Sequence, residues 1–148
     1  MTFPEITIEV KYKGKKKTEL KKLCSSKETY EVLKLLYDES SIHWQEEMIL
    51  LCMNRANKVL GYYKVSKGGT TGTVCDPKMI FTTALQIAGT TSIILSHTHP
   101  SGNLTPSRPD EELTEKIKNA GRLLDIVLLD HVIVTDEGYY SFADEGKI

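Results

Sequence analysis

The run EEMILLCMN, residues 46–54, is apolar at both parities, with no polar side chain from Met48 to Met53. A strand with one face in water alternates apolar and polar residues. One that is apolar on both sides must be covered on both. A second run, TTSIILSHTH at residues 90–99, is β-branched and apolar until it meets two histidines. Both runs are short enough for strands and too short for average helices. A chain with two such strands needs a sheet in the middle and helices on its two faces.

Three segments can supply those helices. SSKETYEVLKLLYDES has Ser25 and Glu28 at the spacing of a capping box, and it gathers Tyr30, Leu33 and Tyr37 on one face, with Leu36 beside them. DPKMIFTTALQIAG has Asp76 to cap, Pro77 for the first turn and Gly89 as a stop, with Ile80, Ala84, Ile87 and Ala88 as an inward stripe. SRPDEELTEKIKNAGRLL lines up Leu113, Ile117, Ala120 and Leu124. KVLGYYKVS reads as a strand returning after a turn at RAN, KGGTTGT as a glycine-rich loop, and IVLLDHVIV and GYYSFA as further strands. Near the start, Ile6, Ile8, Val10 and Tyr12 alternate with polar residues, and Gly14 can turn the chain, so a hairpin is expected. Its lysines, Lys11, Lys13, Lys15, Lys16, Lys17, Lys21 and Lys22, read as a solubilising sheet edge in preference to a phosphate-contacting patch. The expected fold class is α/β, a mixed central β-sheet flanked by helices.

At 148 residues the chain is long enough for one well-packed domain. Its net charge of -1 gives no global attraction to polyanions. No apolar stretch reaches the ~20 residues of a membrane span. The first ten residues lack the pattern of a secretory signal, so a cytoplasmic protein is expected. Cys24, Cys52 and Cys75 are odd in number and widely spaced, which argues against a disulfide framework or a cysteine zinc knuckle. Cys52, inside the apolar run, reads as a small core residue.

Chemistry concentrates at SHTHPSGNLTPSRPD, residues 96–110. Residues i and i+2 of a strand share a face, so His97 and His99 project together if the strand persists. They end an apolar strand, where open α/β sheets tend to place ligand sites. Asp110 adds a carboxylate at the start of the next helix. Two imidazoles and a carboxylate make three ligands for a divalent metal, with a fourth position open to water, as in catalytic zinc sites. The plainer alternative is a solvated strand end followed by a capping box, with Ser107 at the N-cap and Asp110 three residues on. Hydrolysis at such a metal also needs a nearby carboxylate to take a proton from water. Glu46 and Glu47 are candidates, and as neighbours on a strand they point to opposite faces. His131 reads as a structural or hydrogen-bonded strand residue in preference to a supporting group at the site. His43 has no partner visible in sequence.

HTHPSGNLTPSRPD resembles the JAMM (MPN-type) metalloprotease signature: His-x-His-Pro, ten residues between the second His and an Asp, and a Ser three before that Asp. The wider pattern, with CDPKMIFTTAL upstream and LLDHVIV and YYSFADEG downstream, is similar to the RadC branch of that superfamily. The resemblance covers roughly residues 44–146. It implies a JAMM/MPN domain of cytidine-deaminase-like architecture over residues 44–148, with residues 1–43 as a hairpin and helix packed on it in one compact unit. It implies Zn2+ on His97, His99 and Asp110. It implies Ser107 as an oxyanion stabiliser, and Glu46 as general base with Glu47 in reserve. The implied activity is hydrolysis of peptide or isopeptide bonds in a peptide or protein substrate.

The chain departs from the RadC pattern in two places. Thr98 stands where relatives usually have Asn, at a position expected to point away from the metal. Larger relatives carry an N-terminal helix–hairpin–helix region associated with DNA, whereas here a lysine-rich hairpin and one helix are expected. The rival function is a non-enzymatic, DNA-associated module with a structural or vestigial metal site, in line with the branch's DNA-repair label. A zinc deaminase would need His-x-Glu and Pro-Cys-x-x-Cys, and neither occurs.

Overall fold

A computed structural model describes residues 2–13, 19–68 and 75–148. The elements, in chain order, are α1 (Ser26–Leu36), β1 (Glu47–Met53), β2 (Val59–Lys67), α2 (Pro77–Gln86), β3 (Ser92–Thr98), α3 (Arg108–Leu123), β4 (Val127–Val134) and β5 (Tyr139–Ser141). The strands form one sheet in the order β2-β1-β3-β4-β5. Among the described strands only the β3–β4 pair is parallel, and α3 makes that crossover, so the sheet is mixed and the fold is the α/β class expected. Among the described residues no helix is long and apolar enough to cross a membrane.

β1 is buried along its whole length, and its two parities enter two cores. Met48, Leu50 and Cys52 pack with Ile80, Phe81 and Ala84 of α2 and Ile117 of α3. Ile49, Leu51 and Met53 pack with Leu33 of α1, Tyr37 and Val132 on the other face. Each fully buried aliphatic side chain contributes about 1.5–3 kcal/mol. Truncating one such as Leu50 to alanine costs about 2–5 kcal/mol.

The helix stripes differ from expectation at their ends. α2 stops at Gln86, and Gly89, at φ +88°, redirects the chain, so Ala88 is exposed while Phe81 joins the core. α3 buries Ile117 and half-buries Leu113 and Ala120, but Leu124 lies past its last turn and is exposed. Gly121 takes the inward place, because a Cβ there would stand 2.2 Å from the Ile126 carbonyl oxygen. At the start of α1, Ser25 Oγ accepts from the Glu28 N–H, but the Glu28 carboxylate reaches the N–H of Cys24 in place of that of Ser25. The box is therefore shifted by one residue on its return bond.

The N-terminal strand expected over residues 6–12 does not form. Residues 2–12 are in no ladder, and Ile6, Ile8 and Tyr12 are exposed. The turn at Gly14 and Lys15–Lys17 fall outside the described residues. Alternation gives a segment an apolar face without supplying a partner strand. The start of the β2 edge is taken instead by residues 21–23: Val59 N–H donates to Lys21 O and Leu23 N–H to Asn57 O.

Candidate metal centre

β3 runs to Thr98, and His99 continues its line by donating its N–H to Val134 O on β4 at 3.1 Å. His97 and His99 therefore keep the strand's two-residue period and share a face. Thr98 turns the other way, where its Oγ1 accepts from the Glu47 N–H at 2.9 Å. After His99 the chain turns at Gly102, whose φ is +78°, and its N–H closes the turn on His99 O. Ser107 then caps α3. Its Oγ accepts from Asp110 N–H, while its own N–H and O–H each donate to Asp110 Oδ2 at 2.7 Å. The two sequence readings of this segment, cap and metal site, thus concern the same atoms: the cap is what holds the Asp110 carboxylate toward the histidines.

His97, His99 and Asp110 offer ligand atoms that all lie within 4.8 Å of one another. The Nε2 atoms of the two histidines are 3.0 Å apart. Asp110 Oδ1 is 3.2 Å from His97 Nε2, and Oδ2 is 3.4 Å from His99 Nε2. Zinc bonds of ~2.0–2.1 Å in a tetrahedron put neighbouring ligand atoms about 3.3–3.4 Å apart, and these three separations, two of them to different oxygens of Asp110, are of that order. The protonation pattern fits as well. His99 Nδ1 is 2.6 Å from Asn103 O, and a carbonyl can only accept, so the hydrogen is on Nδ1 and Nε2 presents a lone pair in the neutral ring. Ring nitrogens and a carboxylate this close need positive charge among them: a proton on a ring, which gives hydrogen bonds to Asp110, or a metal ion in its place. The donor set, two imidazoles and one carboxylate, suits zinc.

Burial works against the charge of Asp110, yet hydrogen bonds with His97 and His99, the positive field of His97 and the Ser107 hydroxyl hold its carboxyl far below the usual range. The Asp110 hydrogen bond raises the pKa of His99; burial opposes it, and the Asn103 carbonyl and the charges of Asp110 and Glu46 add to the rise. The effect of Glu46 on His99 is informative about position. Met48 pairs with His97 across the antiparallel β1–β3 ladder, and the same register carried two residues further would set Glu46 opposite His99. It is half-buried at the entry to β1. Glu47 projects through the opposite face, buried, with Lys67 Nζ at 3.1 Å and Lys64 Nζ at 3.5 Å.

His131 departs from its sequence reading. It is a hydrogen-bonded strand residue, but it also supports the site: its Nε2 is 2.8 Å from His97 Nδ1. It has no exposed surface and stacks on Phe142 with ring centroids 4.8 Å apart. Burial, aided by the positive field of His97, pushes its pKa well below the ordinary value, so it is a neutral imidazole. Thr114 was not singled out by sequence, yet its Oγ1 is 2.6 Å from His131 Nδ1. A signal existed: Thr114 is four residues after Asp110 and so lies on the same face of the same helix. His43 is on the surface, 3.5 Å from Asp136. Cys24, Cys52 and Cys75 are free thiols, and burial pushes Cys52 and Cys75 up to about 11, which leaves them protonated and inert.

The family model described as RadC-like JAB domain matches residues 23–147, a segment that includes α1 as well as the sheet and the metal triad. A UPF0758 protein of Flavobacterium johnsoniae is 44% identical over 127 residues, 86% of this chain and 54% of that protein. UPF0758 proteins of Methanosarcina barkeri and Thermotoga maritima are 37% and 34% identical over 128 residues each, again 86% of this chain. The chain spans about half the length of these curated relatives. With most of its length matched and a mixed α/β sheet bearing the His-x-His and Asp triad, the chain belongs to the RadC-like JAB-domain family.

Proposed function

We propose that this protein is a zinc-dependent hydrolase of peptide or isopeptide bonds, acting in the cytoplasm on a peptide or protein substrate. The observation that carries the reading is that His97 Nε2, His99 Nε2 and the Asp110 carboxylate lie together, and the register that pairs Met48 with His97 supports Glu46 as their neighbour at the entry to β1. His97, His99 and Asp110 would hold the zinc, which when bound would supply Lewis acidity to water and to a carbonyl. Glu46 takes the proton of the attacking water and returns it to the leaving amine. The Ser107 hydroxyl, whose hydrogen rests on Asp110 Oδ2, turns to the carbonyl oxygen as negative charge develops there. Glu47 is unsuited to the base role, being salt-bridged on the far face.

The test has two parts. Metal content of the purified protein under zinc-replete conditions is compared with that of a His97→Ala, His99→Ala double variant. The zinc-loaded protein is then incubated with unfolded proteins and with a peptide branched through a lysine Nε, in water enriched in oxygen-18. We expect near-stoichiometric zinc in the parent only, and new carboxyl groups carrying one heavy oxygen. Equal and low zinc in both proteins overturns the metal site. Full zinc with no labelled product from either substrate overturns the hydrolase.

A further inference from the structure

Thr114 and His131 are buried polar groups beside the triad, and they form a continuous chain of hydrogen bonds that begins and ends on residues of the candidate metal site. Thr114 Oγ1 is 2.7 Å from the carbonyl oxygen of Asp110, and its one hydrogen must lie between them, because a carbonyl oxygen has none. The next contact, Thr114 Oγ1 to His131 Nδ1 at 2.6 Å, then needs its hydrogen on the nitrogen. The His131 ring is fully buried against Thr114, His97 and the stacked Phe142, none of them a carboxylate, and in the neutral ring a hydrogen on Nδ1 leaves Nε2 only able to accept. The third contact, 2.8 Å to His97 Nδ1, therefore needs the hydrogen on His97 Nδ1. That leaves His97 Nε2 without a hydrogen, facing Asp110 and His99.

We infer that Thr114 and His131 are positioning residues which set the tautomer of His97, so that its Nε2 lone pair is presented to the metal. The relay closes on itself: Asp110 offers its carboxylate to the metal and its main-chain carbonyl to the hydrogen-bond chain that orients His97. The first turn of α3 thus governs two ligands at once, one directly and one through β4 and β3. His99 is set separately, by Asn103 O. If the relay is cut at Thr114, His131 loses the acceptor that determines its own tautomer, and His97 is free to carry its hydrogen on Nε2, where it blocks metal binding. Partners of this kind are typically worth 10–100-fold in metal affinity. The inference rests on the zinc site proposed above, but its first readout is made without metal or substrate.

Metal-free protein labelled with nitrogen-15 is observed by long-range proton–nitrogen correlation, which reports which ring nitrogen of each histidine bears hydrogen. At a pH high enough for the rings to be neutral, we expect the Nδ1-H form for His97, His99 and His131. A neutral His97 ring with its hydrogen on Nε2 in the parent overturns the inference without any variant. Thr114→Val keeps the side-chain shape and removes the hydroxyl, and Thr114→Ser restores it. Zinc alone is titrated against a competing chelator. We expect the valine variant to bind zinc 10–100-fold more weakly with a mixed His97 tautomer, and the serine variant to recover both. A folded valine variant with parental tautomer and zinc affinity overturns the relay. A parent that shows the expected tautomers and takes up no zinc overturns the metal-site reading above and not the hydrogen-bond order.

Discussion

Met48 on β1 is paired with His97 on β3, and the same antiparallel register carried two residues further brings Glu46 abreast of His99. Directly opposed residues of antiparallel strands point to the same face of the sheet. Carried on, that register would put Glu46 on the face of the candidate triad, in line with the effect of its charge on His99. Glu47 is turned toward Lys64 and Lys67 beneath the other.

Exchanging these two carboxylates one at a time separates chemistry from stability. Glu46→Gln is expected to keep its zinc and lose about 10²–10⁴-fold in hydrolysis. Glu47→Gln is expected to keep hydrolysis and lose about 1–3 kcal/mol of stability, since it strips a buried charge from its lysine partners. Urea unfolding and turnover on the same preparations check both. The opposite pattern would move the base to Glu47.

Ser107 has two duties that respond differently to substitution. Ser107→Ala removes the N-cap of α3 and is expected to cost about 1 kcal/mol of stability. It also releases Asp110 Oδ2 from the hydroxyl, so zinc affinity should fall along with hydrolysis. Ser107→Thr retains the hydroxyl and should recover the stability. An alanine variant with parental zinc affinity would show that the cap does not hold Asp110 in its binding position.

Chelation should destabilise the parent and leave the His97→Ala, His99→Ala variant unmoved. At free zinc about 100 times the dissociation constant, binding adds about 2.7 kcal/mol. For a chain of this size that corresponds to a fall in Tm of about 5–11 °C on adding chelator. A parent whose Tm ignores the chelator does not hold zinc in its folded state.

Gly121 should tolerate no side chain. The Cβ of Gly121→Ala would meet the Ile126 carbonyl oxygen at 2.2 Å, where α3 turns back into β4. The expected cost is about 1–3 kcal/mol, seen as a lower urea midpoint with an unchanged slope. Parental stability in this variant would mean that the α3–β4 turn yields more readily than its packing implies.

Much of the site is legible because its geometry is local. His97 and His99 are two apart on a strand, and Ser107 and Asp110 are three apart across a helix start, so chain geometry alone orients each pair. The apolar run of β1 likewise announces a strand covered on both faces, and it is buried along its whole length. Where local pattern misleads, the missing ingredient is a partner. Residues 6–12 alternate as a strand would, but residues 21–23 occupy the start of the neighbouring edge. Leu124 and Ala88 continue helical stripes in sequence, but the chain has already left the helix at both places.

By itself, then, the sequence determined the sheet-and-helix layering, the grouping of His97, His99 and Asp110 and the cap that carries one of them, because periodicity and capping act within a few residues. Tertiary structure decided which glutamate faces the triad, and it joined His131 and Thr114 to His97. Those outcomes depend on strand register and helix docking between segments 34 and 17 residues apart, and more. Register is set by the packing of two cores against one sheet, which no short window of sequence contains.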